Sequence, residues 1–206
     1  MNNLSAGSNV IYQTNEKIVD ISFSYFGNFI AVLSESGIIK TLNTSDYSEK
    51  DLIKCKEGSA MSITWNADNE LIVGFASGKI EIWNKEEYQE VFVHSSGIND
   101  LFFDNENHRL ITCSYDGIIK IWDYWDFDIE PIIVDSHDSW VYCIAVTPNK
   151  ANLISGSKDK SIIINNINTE ILKTLVRKEV EANMSHKNWL KFVGEGIEYK
   201  NELPED

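Results

Sequence analysis

The sequence predicts an all-β fold in which one unit of four antiparallel strands is repeated four times. The first observation is a recurring eight-residue motif, SGIIKTLN, SGKIEIWN, DGIIKIWD and DKSIIINN, at residues 36–43, 77–84, 116–123 and 159–166. The second is a stretch of alternating apolar and polar residues upstream of each motif, which is typical of a half-buried strand. Both elements recur every 38 to 43 residues, which is the length of one blade of a β-propeller.

Each unit supplies its four predicted strands in the same order. The alternating stretch predicts the innermost strand, and FIAVLS, LIVGFAS, RLITCSY or NLISGSK predicts the second. A tight turn then leads into the motif strand, with Gly37, Gly78 and Gly117 at the position that requires a positive φ and Lys160 in the fourth unit. A weaker outer strand follows as DLIKC, EVFVH, EPIIVD or EILKTL.

The third unit resembles the WD repeat of β-transducin-like propellers. It starts with HSSGI and continues into RLITCSYDGIIKIWD, which ends on the Trp-Asp pair. The resemblance extends over about residues 14–175, and it implies that four residues of the third unit form the hydrogen-bonded tetrad of such a blade. These residues are His94, Thr112, Asp116 and Trp122.

The other units match this tetrad less completely. The fourth has His137, Ser155 and Asp159, but Asn165 stands where the tryptophan is expected. The first two units have Thr14 and Lys56 at the histidine position and serine at the aspartate position, so we expect those blades to rely on packing. The tetrad is interpreted as structural, because it satisfies buried polar groups that would each cost about 1–3 kcal/mol if left unpaired.

Several function classes are disfavoured. A hydrolase triad is disfavoured because the tetrad already uses the lone pairs of its members and the sequence has no nucleophile elbow. We expect no metal and no cofactor, because the four histidines never pair at ligand spacing and no CxxC motif occurs. A propeller enzyme with a site in the central channel is the less favoured alternative, because the innermost strands are interpreted as hydrophobic.

Charge and apolar content restrict the partners and the location. With 18 basic and 32 acidic residues, the formal net charge is −14, which disfavours nucleic acids and anionic membranes as partners. The longest apolar run, residues 140–146, is far shorter than the roughly 20 residues that span a bilayer. Residues 1–13 lack the pattern of a secretory signal, so the expected location is cytoplasmic.

Two groups of exposed aromatic residues are candidates for protein binding. By the resemblance, Tyr115, Trp140 and Lys158 open onto the top face of the propeller, where peptides dock; alternatively, Trp140 packs between two blades. The loop with Tyr124 and Trp125 lies at the opposite rim. Its aromatic side chains either fold back under the blade or form an acidic and aromatic contact patch.

The predicted domain organisation is a propeller segment followed by a short tail. Residues 1–176 hold the blades, with units at about 14–55, 56–93, 94–136 and 137–176, and residues 177–206 form the tail. Ser185 as N-cap and Gly194 as a stop predict a short helix in this tail. The tail also resembles the closing segment of bacterial WD-repeat proteins that are joined to signalling ATPase or caspase-like domains.

The leading hypothesis is a non-catalytic scaffold that presents a rigid surface to a protein or peptide partner. The alternative is the C-terminal sensor or regulatory segment of a larger bacterial signalling ATPase or protease. Four units are few for a family whose propellers usually close with seven blades, and residues 9–13 predict an outer strand of a preceding blade. We therefore expect a partial propeller that pairs with a second propeller fragment, self-associates to close the ring, or belongs to a longer polypeptide.

Overall fold

The computed structural model describes residues 9–85, 87–134 and 137–168. They form four antiparallel sheets, each with its strands in chain order, which are blades 1 to 4 of a propeller arc. The strands are β1 (Ile18–Phe23), β2 (Phe29–Ser34), β3 (Ile38–Asn43) and β4 (Glu49–Lys54) in blade 1; β5 (Ala60–Trp65), β6 (Leu71–Phe75), β7 (Lys79–Asn84) and β8 (Glu87–Phe92) in blade 2; β9 (Ile98–Asp104), β10 (Arg109–Ser114), β11 (Ile119–Asp123) and β12 (Ile132–Val134) in blade 3; and β13 (Val141–Val146), β14 (Asn152–Ser157) and β15 (Ile162–Asn166) in blade 4.

The predicted all-β propeller class is confirmed, and the described residues contain no helix. Consequently no helix within them could span a membrane. The predicted outer strand at residues 170–175 and the predicted helix and tail at 177–206 lie outside the described residues.

The turns between the second and third strands have the predicted backbone conformation. Gly37, Gly78 and Gly117 have φ values of 82°, 87° and 84°, and Lys160 adopts 74° at the same position of blade 4. Close approach is a second reason for glycine here. A Cβ atom on Gly37 would lie 2.8 Å from the carbonyl oxygen of Glu57, in the connection that crosses over the turn.

Each blade has two apolar faces. The trailing face consists of the side chains that contact the next blade along the chain, such as Ala31, Leu33 and Ile39 in blade 1. The leading face contacts the preceding blade and includes side chains from the first three strands. In blade 2 the leading face consists of Ala60, Ile63, Trp65, Leu71, Val73, Phe75 and Trp83. Equivalent trailing and leading faces form the core between blades 2 and 3 and between blades 3 and 4.

The innermost strands are not wholly hydrophobic, contrary to the expectation from sequence. Asp20 on β1 and Asp100 on β9 follow a bulge in their strands. The Oδ2 atom of Asp20 accepts a hydrogen bond from the amide of Ile63 in blade 2 at 2.8 Å, and Asp100 accepts one from Ile144 in blade 4 at 2.9 Å. Burial raises the pKa of both carboxyl groups. These acids therefore join adjacent blades, a role that strand alternation does not reveal.

The N-terminal segment also differs from the prediction. Residues 9–13, which were predicted to form an outer strand, form no strand. Instead, Tyr12 packs against Ile30, Val32 and Leu42 on the leading face of blade 1.

The acid that joins blades 3 and 4 gives a first prediction. Replacing Asp100 with alanine removes the acceptor for two amides, those of Leu101 and Ile144. We expect the free energy of unfolding to fall by about 1–3 kcal/mol, because a buried amide is left unsatisfied. The exposed Glu106 is the matched control, and Glu106→Ala should change it by less than about 0.5 kcal/mol. Equal losses in urea denaturation would contradict this role for Asp100.

Candidate functional site

The four predicted tetrad residues of blade 3 lie together on its leading face. His94 Nδ1 is 2.9 Å from Asp116 Oδ2, and His94 Nε2 is 2.7 Å from Thr112 Oγ1. The indole Nε1 of Trp122 donates to the same Thr112 oxygen at 3.1 Å. Because the carboxylate can only accept, His94 donates a hydrogen bond from Nδ1. Its Nε2 atom then accepts a hydrogen bond from the hydroxyl group of Thr112. The chain of bonds thus runs from the indole to the carboxylate.

Asp116 also organises the turn that carries it. Its carboxylate accepts hydrogen bonds from the amides of Ile118 and Ser95, at 3.0 and 3.2 Å. Burial alone would raise its pKa, but the hydrogen bonds from His94 and from these amides lower the pKa of Asp116 to about 2. Asp116 therefore stays ionised at all ordinary pH values and fixes the orientation of the imidazole ring.

The equivalent residues of blade 4 form a shorter network. His137 Nδ1 lies 2.8 Å from Asp159 Oδ2, and its Nε2 lies 2.8 Å from Ser155 Oγ. Hydrogen bonds from the hydroxyl and amide of Ser161, with that from His137, lower the pKa of Asp159. At the tryptophan position, the buried Nδ2 atom of Asn165 has no hydrogen-bond partner among the described residues. The blade 4 network therefore ends at Ser155.

Blade 2 contains a polar network that the sequence did not reveal. The fully buried carboxylate of Glu81, on β7, accepts the indole hydrogen bond of Trp83 at 2.8 Å. It also accepts the amides of Lys56 and Glu57, both at 3.0 Å to Oε1. The expectation that blade 2 relies on packing alone is therefore wrong, because one carboxylate replaces the missing histidine, hydroxyl and aspartate.

These networks have a structural arrangement rather than a catalytic one. The side chains of His94 and Thr112 are buried, so a substrate cannot reach the hydroxyl group. Each polar atom of the blade 3 tetrad already has a protein partner. The described residues also contain no cluster of three or more side chains that could hold a metal ion.

The three residues predicted for the top face lie together on one edge of the arc. We call this edge the upper rim; it is formed by the turns at residues 35–37, 76–78, 115–117 and 158–160. The rings of Tyr115 and Trp140 are 4.6 Å apart between centroids, and Lys158 Nζ lies 3.8 Å from the centroid of Trp140. Tyr142, which the sequence did not single out, is 6.5 Å from Tyr115 and perpendicular to it. We name these four residues the upper-rim cluster.

The main chain holds the upper-rim cluster in place. Lys158 donates its amide to the carbonyl oxygen of Trp140 at 2.9 Å, and Tyr115 donates to Gly97 in the same way in blade 3. A Cβ atom on Gly97 would lie 2.8 Å from Met61 Sδ and 3.0 Å from the Tyr115 ring, so glycine leaves the space that this ring uses. Trp140 and Tyr142 are nevertheless 42% and 46% exposed. The backbone of the cluster is therefore held by hydrogen bonds, while its rings remain accessible.

The two residues predicted for the opposite rim have different environments. Tyr124 is buried; it donates to Glu70 at 2.6 Å and its ring packs edge-on against Phe103. Its assignment as a partner-binding residue is therefore corrected: it folds back under the blade because its hydroxyl group finds an acceptor there. Trp125 is 65% exposed and contacts His108 and Tyr124. Only Trp125 of this pair is available to a partner.

The comparisons with known proteins agree with this geometry. The family model described as "WD domain, G-beta repeat" matches residues 86–123 and 130–166. Each match starts at the outer strand of one blade and ends with the third strand of the next. The match to this family is therefore limited to these two segments.

The similar proteins are longer than this chain and only distantly related. A guanine nucleotide-binding protein subunit beta-like protein from Encephalitozoon cuniculi is 26% identical over 100 residues, which are 48% of this chain and 28% of the relative. Polyadenylation factor subunit 2 from Candida albicans is 26% identical over 101 residues, 48% of this chain and 19% of that protein. WD repeat and SOCS box-containing protein 1 from Xenopus tropicalis is 24% identical over 119 residues, 53% and 28% of the two chains. This chain therefore spans less than a third of the length of each of them.

A solved structure supports the fold at larger coverage. A chain in the crystal structure of a mitotic checkpoint complex superposes with a TM-score of 0.69 at 20% identity. The superposition covers 80% of this chain and 53% of that one. At this identity the similarity shows the propeller fold alone.

The tetrad gives the second prediction. Asp116→Ala should lower the free energy of unfolding by about 2–4 kcal/mol, because His94 and two amides lose their acceptor. Ser77→Ala, at the equivalent turn position of blade 2, should change it by less than about 0.5 kcal/mol, since Glu81 holds that blade instead. Thermal and urea denaturation measure both variants, and equal shifts would rule out the tetrad as a stabilising network.

The blade 2 network gives the third. Glu81→Ala should destabilise the chain by about 2–4 kcal/mol, because the buried indole N–H of Trp83 and two part-buried main-chain amides lose their acceptor. Lys120 occupies the equivalent position of blade 3, so Lys120→Ala is the control and should have a smaller effect. A Glu81→Ala variant with unchanged urea denaturation would show that packing suffices in blade 2.

Proposed function

We propose that this chain is a non-catalytic protein-interaction module of the WD-repeat propeller type, and that a protein or peptide partner binds at its upper-rim cluster. The observation that carries the proposal is the exposed position of Trp140 and Tyr142 at the start of β13, beside Tyr115. Tryptophan and tyrosine are enriched at the centres of protein interfaces because each combines a large apolar area with a polar tip.

The geometry of the cluster favours a protein as the partner. Its rings already pack against one another before binding, which lowers the side-chain entropy that is lost when they are covered. Lys158 stacks on one face of Trp140 and presents donors at the edge of the aromatic surface. The net charge of −14 disfavours nucleic acid and anionic membrane as alternatives.

The enzymatic alternative has weaker support. Asp20 and Asp100 on the innermost strands are the acids that a channel site would use, but both carboxylates accept two main-chain hydrogen bonds. A cytoplasmic location stays part of the proposal. The regulatory segment of a bacterial ATPase or protease stays a prediction, since it rests on residues beyond 168, and the three relatives named above are eukaryotic.

The fourth prediction tests the upper-rim cluster. A photo-reactive phenylalanine analogue at position 142 should cross-link a specific partner in cells, because it replaces an exposed ring of the cluster. Adding Trp140→Ala or Tyr115→Ala should reduce the yield of that cross-link at least tenfold. This corresponds to a loss of about 1.4 kcal/mol or more of binding free energy when an anchor residue of the interface is removed.

The same probe at Trp125, on the opposite rim, is the matched control. It should not capture the partner found at position 142, and the melting temperature of Trp140→Ala should stay near that of the parent chain. A large loss of stability with unchanged cross-linking would instead identify Trp140 as a packing residue between blades 3 and 4.

A further inference from the structure

Among the residues that the structure describes, no blade covers the leading face of blade 1. Ile18, Ile21 and Phe23 on β1 are 45%, 59% and 62% exposed. The residues at the same positions of blades 2 and 3 are at most 7% exposed; they are Ala60, Ile63, Trp65, Ile98, Leu101 and Phe103. The surface formed by the three side chains of β1 is therefore exposed, whereas the equivalent surfaces of blades 2 and 3 are buried against the preceding blade.

The trailing face of blade 4 is exposed in the same way. Ile162 and Ile164 on β15 are 78% and 64% exposed. The residues at the same positions of blades 1, 2 and 3 are at most 5% exposed; they are Ile39, Thr41, Ile80, Ile82, Ile119 and Ile121. Contiguous exposed apolar surface of this kind marks an interaction site in a soluble protein.

The polar groups of the innermost strands are compatible with a junction between these two faces. Asp20, Ser62, Asp100 and Cys143 occupy the same position, one in each blade. Each aspartate accepts a hydrogen bond from the amide of the residue that follows it and another from the equivalent amide of the next blade. Blade 1 thus provides an acceptor for blade 2, and blade 3 provides one for blade 4. Blade 4 has no acid at Cys143, and blade 1 needs none because Asp20 already accepts the amide of Ile21. A junction from blade 4 to blade 1 therefore continues the alternation without leaving that amide unpaired.

The N-terminal segment continues the outer edge of this junction. Between blades 1 and 2, the side chain of Ile53 on β4 packs beside the leading face of blade 2. Tyr12 makes the equivalent contact with Ile30, Val32 and Leu42 on blade 1. Residues just before β1 thus lie against the leading face of blade 1, beside the three side chains of β1 that stay open.

From these observations we infer that the two open faces bind each other between two copies of this chain. The trailing face of blade 4 in each copy packs on the leading face of blade 1 in the other, and the contacts close an eight-bladed ring. Propellers have up to about eight blades, and a head-to-tail contact that closes after two copies gives a finite dimer. The arc covers 53% of a solved propeller chain, so two arcs amount to about one full propeller. This inference does not depend on the upper-rim cluster.

The experiment is a measurement of mass in solution for the full chain. The measurement is sedimentation velocity in about 0.15 M salt, because salt at this concentration screens the repulsion between two chains of charge −14. We expect twice the 23.5 kDa of one chain at micromolar concentration. Phe23→Glu and Ile164→Glu each break one half of the junction and should both give monomers, whereas Ile133→Glu, at an equally exposed position on β12, should leave the dimer intact.

A mixture of the two monomeric variants tests the head-to-tail geometry. Phe23→Glu keeps its trailing face and Ile164→Glu keeps its leading face, so together they restore one intact junction and should return a two-chain species at high concentration. Ile162→Glu replaces Ile164→Glu if the latter loses cooperative thermal unfolding.

Other outcomes overturn the inference. A wild-type monomer would show that the faces are covered within one chain, for example by residues 169–206. A dimer that survives both substitutions would place the contact elsewhere, and masses that keep growing with concentration would show that the contact does not close. Trp140→Ala should leave the dimer unchanged, so a failed ring and a failed upper-rim site are distinguishable.

Discussion

The apolar contact between the trailing face of one blade and the leading face of the next is the interaction on which the rest of this structure depends. A four-stranded sheet that is apolar on both faces cannot bury either face alone, so each blade is stable only beside a neighbour. Three such contacts, centred on residues such as Leu33, Phe75, Leu110 and Ile111, hold the four blades in one arc. The turns, networks and exposed clusters take their positions from this packing.

The polar networks provide hydrogen-bond acceptors for the indole groups that the blade packing buries. A tryptophan on the third strand fills the leading face, and its indole N–H must find an acceptor away from water. In blade 3 the acceptor is a hydroxyl group backed by His94 and Asp116, whereas in blade 2 it is the carboxylate of Glu81. Burying a carboxylate is costly, but three N–H donors compensate for the lost water. Blade 4 has no indole, and its network stops at Ser155.

The sequence predicted the fold well because the repeat is set by local rules. Strand alternation and the positive φ of Gly37, Gly78 and Gly117 act within a few residues of each other, so a single sequence displays them. The blade 3 tetrad was likewise visible as a motif. Glu81 was not, because its function depends on the amides of Lys56 and Glu57, about 25 positions earlier in the chain. Its one local signal is an acid between apolar residues where blades 1 and 3 have lysine.

The environment of exposed aromatic residues was harder to predict for the same reason. Tyr124 and Trp125 are neighbours in an acidic loop, yet one is buried and the other exposed, because Glu70 from blade 2 accepts the hydrogen bond of Tyr124 alone. Tyr142 could have been noticed, since it lies only two residues from Trp140 in the sequence. Its distance from Tyr115 depends on how blades 3 and 4 are placed, which no local pattern specifies.

The upper-rim cluster is itself a product of a blade contact. Tyr115 belongs to blade 3, whereas Trp140, Tyr142 and Lys158 belong to blade 4. The hydrogen bond from the amide of Ile144 to Asp100 and the packing of Ile111 against Val141 set the distance between these two groups. A ligand that touches both Tyr115 and Trp140 therefore binds across a blade contact and stabilises it by mass action. Partner binding at the rim and cohesion of the arc are thus linked through the same two innermost strands.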